Sequence, residues 1–210
     1  MSQKPKRRQA DFRGLIARQK YIREKSTMEN FANTATRDLT AAELLSGRDL
    51  ILQQIKWTRQ YSRQLIDSIP EPLWYTQPAG LKSHVAWQVG HLAVSQYGLM
   101  LFRQRGRMPG DLELMPGWLR KQFGRGTTPS DSAEGMPTPT ELLAMLEKID
   151  AQAHAEAATL TAEQLGEPTE MPYTAYPIKL GALLFCPIHE SIHAGQLGLL
   201  RRLHGLDPLR

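Results

Sequence analysis

The sequence predicts an all-α chain: a four-helix bundle with a long crossover between its second and third helices, preceded by a basic N-terminal extension. Three observations carry this. Apolar residues recur at helical spacing in four long segments, no segment shows the alternation of a strand, and the segments open and close on capping residues. At 210 residues, 41% of them hydrophobic, the chain suits one globular domain with a sizeable core. The expected division is an extension over residues 1–39 and a bundle domain over 40–210.

The charge is unevenly spread. Residues 1–25 hold nine basic side chains and two acids, so the formal +5 of the whole chain leaves about −2 for the remainder. The basicity belongs to the arm, and a nucleic-acid partner is not expected of the body. Phe12, Leu15, Ile16, Gln19 and Ile22 give the arm a weak helical stripe that could dock on the body or on a second subunit. No apolar run reaches the roughly 20 residues that span a bilayer, and no secretory leader is evident. The single cysteine, Cys186, excludes an internal disulfide and fits a reducing, cytoplasmic setting. Its expected role is that of a small buried hydrophobe.

Thr40-Ala-Ala-Glu43 has the form of a capping box, and Leu44, Leu45, Ile51, Leu52, Ile55, Tyr61, Leu65 and Ile66 follow at helical spacing. They predict a first helix over 41–68, ended by Pro70 and Pro72, with Trp74 and Tyr75 plugging one end of the core. The second helix runs over 83–104 and is apolar around much of its circumference, so it should be deeply buried; Gly106 stops it. Residues 106–136 are rich in Gly and Pro with no sustained period, and predict a crossover tacked down by Met115, Trp118, Leu119 and Phe123. Thr138-Pro-Thr-Glu141 is a second capping box with Pro139 at the first helical position, opening a helix to about Leu160. Thr161-Ala-Glu-Gln164 suggests one short further turn. The last helix runs from about Ile178 to His204 and stops at Gly205, with Pro187 inside it. Trp57, Tyr61, Trp87 and Tyr97, at helical spacings, read as core.

The chemistry concentrates near the end, in Leu180-Gly-Ala-Leu-Leu-Phe-Cys-Pro-Ile-His189-Glu-Ser-Ile-His193-Ala-Gly-Gln196. His189 and His193 lie one turn apart on one helical face, among apolar or small neighbours, and such a pair is costly to bury unless something satisfies both rings. A divalent metal would do so, because neutral imidazole ligates zinc, nickel and iron. One helix supplies only these two ligands, so a third must come from elsewhere; His91 and His84 in the second helix are the candidates. His204, three turns past His193, is too far and suits the helix C-terminus. His154 and Asp150 read as an exposed i, i+4 pair on the third helix. Gln196 shares the histidine face, where it could hydrogen-bond a ligand or a neighbouring helix.

The mid-helix histidine in Ala86-Trp-Gln-Val-Gly-His91-Leu, the long connection, and His189-x-x-x-His193-Ala-Gly-Gln196 with its Leu-Gly-Leu-Leu-Arg-Arg tail together resemble the DinB-like (DinB/YfiT) superfamily of metal-binding four-helix bundles. The resemblance covers about 40–210. It implies an up-down-down-up bundle with His91, His189 and His193 as ligands of one divalent cation, zinc foremost, with nickel, iron or manganese as alternatives. It also implies a metal-dependent transferase, or else a hydrolase, since members studied for activity tend to be transferases or isomerases dependent on low-molecular-weight thiols. Three histidines leave a coordination position open for water or a substrate atom. The expected partners are a small electrophile and such a thiol, with a homodimer as a further expectation; the alternative is a non-catalytic metal-containing binding or dimerisation module.

His189-Glu-Ser-Ile-His193 also matches the zinc-metalloprotease pattern, in which the glutamate is the general base. The surroundings disagree. A metzincin needs Gly at 196 and His at 199, where this chain has Gln196 and Leu199. Glu190 falls about 100° from the ligand face, which suits a surface or supporting carboxylate rather than a base. The di-iron carboxylate class needs a second Glu-x-x-His, which the chain lacks.

Overall fold

A computed structural model describes residues 39–170 and 173–209. The readings made for residues 1–38, the basic arm and its stripe, lie outside the described residues. Thr40–Arg210 make one compact unit.

The described residues are helical, joined by turns, with a lone bridge between Pro168 and Ile178 in place of any strand. Helix α1 (Ala41–Asp67) starts at the Thr40/Glu43 capping box, both halves of which are formed. A 3-10 turn (Glu71–Leu73) leads to α2, which begins as Val85–Gln96, passes through a π-helical stretch (Tyr97–Phe102) and closes with Arg103–Arg105. Two short helices follow, α3 (Asp111–Leu114) and α4 (Gly117–Phe123). Helix α5 (Pro139–Ala157) opens on the second capping box, the one-turn α6 (Ala162–Gly166) on a third, and α7 (Lys179–Leu203) carries Pro187 inside it. Gly106 and Gly205 end α2 and α7 with φ near +77° and +76°, a region closed to most side chains.

Where the sequence expects one bare crossover, the chain forms α3 and α4. The reason is local packing. Leu119 and Phe123 are fully buried, and a four-residue spacing that buries two side chains on one side makes a helical turn. Trp118 is 40% exposed and does not tack the segment down.

Helix α1 packs most extensively on α7, and α2 packs on both α5 and α7. Ile55, Ile66, Met100, Leu101, Leu142, Leu146, Ile149 and Leu183 are fully buried between them. No described helix is long and apolar enough to cross a membrane.

Two aromatics read as core are not. Trp57 is 63% and Tyr61 37% exposed, stacked on each other with ring centroids 6.2 Å apart. Helical spacing reports a shared face of α1, and here that face is the outer one; Thr58, Arg59 and Ser62 occupy the inner one instead.

That inner face holds a buried polar clamp. Arg59 donates from Nε to Glu190 Oε1 at 2.6 Å and from one terminal nitrogen to Glu190 Oε2 and Gln96 Oε1, both at 2.9 Å. Gln96 Nε2 donates in turn to Asp150 Oδ1 at 2.6 Å. His154 and Asp150, read as an exposed pair, are instead half-buried at the end of this network, because Asp150 is drawn in by Arg59 and Gln96. The clamp ties α1, α2, α5 and α7 at one level. Truncating one partner would strand the other's charge in a dry interior, so Arg59→Ala should cost about 3–5 kcal/mol, while an apolar double replacement of Arg59 and Glu190 costs much less. Urea denaturation of the two variants checks this; equal losses would contradict it.

Candidate metal centre

His189 and His193 stand on consecutive turns of α7, and His91 faces them from the middle of α2. One ring nitrogen from each lies within 4.8 Å of the other two. The Nε2 atoms of His189 and His193 are 3.3 Å apart, and the three ring centroids are separated by 4.5, 4.9 and 5.4 Å.

The outer nitrogens decide which atoms face inward. His91 Nδ1 lies 2.7 Å from the Phe123 carbonyl oxygen, and His193 Nδ1 lies 2.5 Å from Gln88 Oε1. Both partners can only accept, so each Nδ1 carries the proton and each Nε2 presents a lone pair. The Gln88 amide is itself oriented by Nε2 donating to Ser83 Oγ at 2.8 Å. This is the arrangement by which proteins fix a ligating imidazole's tautomer and raise its basicity.

Local sequence places each part. Gly90 lets α4 approach α2: a Cβ there would stand 2.4 Å from the Phe123 ring. That close approach sets the Phe123 carbonyl against His91. Trp87, one turn before His91, stacks on its ring with centroids 4.6 Å apart and planes 8° from parallel. Phe185 closes the other side, 6.0 Å from His189. Ser95 Oγ is 3.3 Å from His91 Nε2, placing a hydroxyl at the edge of the cluster.

The rings are held neutral. Burial first, then the His189 and His91 imidazoles, holds His193 down at about 3; burial, then His91, holds His189 at about 4; burial lowers His91 as well. Neutral imidazoles, with His91 and His193 presenting lone pairs inward beside His189, fit a divalent cation. With M–N bonds of about 2.0–2.1 Å, tetrahedral ligand nitrogens stand roughly 3.4 Å apart, close to the His189–His193 spacing. Rings that resist protonation also leave a metal without proton competition at neutral pH.

A family model for the DinB superfamily matches residues 54–197. The chain belongs to the DinB superfamily. No curated protein matches it.

The other singled-out residues of this DinB-superfamily chain sit elsewhere. His84 is fully buried at the start of α2, where Nδ1 accepts the Trp87 N–H at 3.1 Å as an N-cap; it is not in the cluster. His204 caps the C-terminus of α7. Cys186 is buried, and its thiol is pushed up by desolvation, so it is inert as a nucleophile. Glu190 is only 2% exposed, not at the surface, because Arg59 occupies both its oxygens. A carboxylate so held cannot serve as a protease's general base. Gln196 is exposed beside His193, whose downward shift it opposes.

Sequence reasoning missed Gln88, Ser95 and the Phe123 carbonyl. Gln88 carried a signal: three residues before His91, it shares that helical face, and a buried glutamine needs partners. A backbone carbonyl carries none.

Two outcomes follow from this geometry. Gln88→Leu removes the acceptor that orients His193 and should weaken zinc binding about 10–100-fold with the helical content unchanged, as read by competition with a chromophoric chelator. The unfolded chain protonates His189 and His193 near the ordinary 6.5, the folded chain only near 3–4. Their contribution to stability is therefore complete above pH 6.5 and lost as pH falls from there toward 4. The urea midpoint of metal-free protein should drop across that window, and drop less in His193→Gln.

Proposed function

We propose that the chain is a metal-dependent enzyme in which His91, His189 and His193 hold one divalent cation that activates a low-molecular-weight thiol, or water, against a small electrophile. The supporting observation is the convergence of three ring nitrogens within 4.8 Å, with the opposite nitrogens of two rings occupied by carbonyl acceptors. The cation is zinc in the first instance, given an all-nitrogen donor set with room for a fourth ligand. The surrounding helices are read as an up-down-down-up four-helix bundle, and the compartment as the cytoplasm.

When bound, such a cation lowers the pKa of a thiol or water at its open position, making a nucleophile at neutral pH. The protein's own groups do the rest. Trp87 and Phe185 pack against the His91 and His189 rings and lower the polarity of the cluster's surroundings. Ser95 offers a hydroxyl able to donate to, or accept from, a group entering beside His91. Gln88 and the Phe123 carbonyl keep the inward nitrogens unprotonated.

Elemental analysis of untagged protein purified without added metal should find about one equivalent of a divalent ion, and little in His193→Ala. Turnover of a thiol with a model electrophile should accompany the ion and vanish in that variant while circular dichroism stays helical. Retained metal with no turnover across several thiols and water would instead mark a non-catalytic metal-containing module.

A further inference from the structure

A row of ring contacts leads from the three histidines to one arginine. The Phe185 ring lies 6.0 Å from His189, and the Tyr173 ring 5.9 Å from Phe185. The Arg125 guanidinium carbon stands 5.0 Å from the centre of the Tyr173 ring. His189, Phe185 and Tyr173 are half-buried and Arg125 is exposed, so the row runs outward to solvent. It has an imidazole at one end and a cation at the other.

The backbone fixes the outer end in place. Phe123 and Thr127 flank Arg125, and both bond to residues of the centre. The Phe123 carbonyl meets His91 Nδ1, and Thr127 Oγ1 accepts the indole N–H of Trp87 at 2.9 Å. Between them the chain turns tightly. Thr127 N–H donates to the Gly124 oxygen at 3.2 Å with Gly126 at φ +81°, the pattern of a type II turn that sets Arg125 at its corner. Tyr173 is also held. It is the one described non-glycine residue with positive φ, +76°, a region a tyrosine keeps only where its surroundings impose it. Ala175 N–H donates to the Gly181 oxygen at 3.0 Å, and Gly181 has no space for a Cβ against Thr174 and Tyr176, so this loop sits tightly on α7.

The cation is uncommitted. Among the described residues Arg125 pairs with no carboxylate, whereas Arg103, a second guanidinium near Tyr173, donates to the Glu170 carbonyl and lies by its carboxylate. The stretch from Met115 to Ser130 carries Arg120, Lys121 and Arg125 and no acid. An arginine seated over a ring uses its face there and keeps its planar N–H fork for another partner. That fork matches a carboxylate in two parallel hydrogen bonds.

We propose that Arg125 is the anion-recognition residue of this centre. The substrate is then a small molecule with a carboxylate at one end, its reacting atom at the three histidines, and an apolar or unsaturated middle that lies along Phe185 and Tyr173. This rests on the reading of the histidines as the metal site of an enzyme.

Calorimetric titration of the full-length, metal-loaded chain tests it with two matched pairs of probes, ω-mercaptohexanoate against ω-mercaptohexanol and hexanoate against hexanol. In each pair the carboxylate should bind roughly 10-fold tighter. Arg125→Gln should abolish that preference while the Kd of the alcohols, the metal content and the circular dichroism stay unchanged, and Arg125→Lys should restore part of it. Equal affinities within each pair overturn the proposal, as does a preference that survives Arg125→Gln, or binding of none of the probes. Thiols that bind no tighter than their thiol-free counterparts, with the Arg125-dependent preference intact, would sink the thiol reading of the centre and uphold this one.

Discussion

Three imidazoles brought together, two of them buried and the third half-buried, are the constraint on which the rest of this structure turns. The Nε2 atoms of His189 and His193 approach to 3.3 Å, a spacing bridged either by the proton of a neutral His189 ring or by a cation held between the two nitrogens. The charged imidazolium forms are disfavoured. Burial and mutual proximity hold His189 and His193 at about 4 and 3, and two carbonyl acceptors keep the N–H groups of His91 and His193 turned outward. Three ring nitrogens so grouped could hold a metal ion.

The surrounding helices serve that arrangement in distinct ways. Gly90 admits Phe123 against α2, which delivers a backbone carbonyl to His91. Ser83 turns the Gln88 amide so that its oxygen, not its nitrogen, meets His193. One turn away, Arg59 grips Glu190, the residue between the two α7 histidines, and joins it through Gln96 to α2 and α5. The helix bearing two histidines is thereby fixed in level against the helix bearing the third. The glutamate that made the α7 sequence resemble a zinc protease is thus part of the frame.

Much of this was legible in the sequence because it is written in local patterns. The Thr40/Glu43 and Thr138/Glu141 capping boxes, the glycine stops at 106 and 205, and the i, i+4 histidine pair each rest on a few neighbouring residues, and each appears where expected. The readings that failed needed tertiary information. Trp57 and Tyr61 read as core in the sequence because spacing gives a common face but not which way it points. The Asp150–His154 pair reads as exposed, and the sequence leaves Glu190 either at the surface or in support of the histidines, because their partner, Arg59, is distant in sequence. The short helices α3 and α4 hid in a Gly- and Pro-rich stretch whose apolar spacing is too brief to stand out. The choice of His91 over His84 rested on family resemblance, and geometry supplies the physical reason: His84 spends its Nδ1 capping the helix that His91 occupies.

The central claim is that three neutral imidazoles share one cation through their inward nitrogens. X-ray absorption at the metal edge of the loaded protein tests it most directly. The account predicts three imidazole scatterers at about 2.0–2.1 Å, with one or two further light-atom ligands and no protein sulfur, falling to two imidazoles in His91→Ala. Two imidazoles already in the wild type, or a first shell containing the Cys186 thiolate, would contradict it.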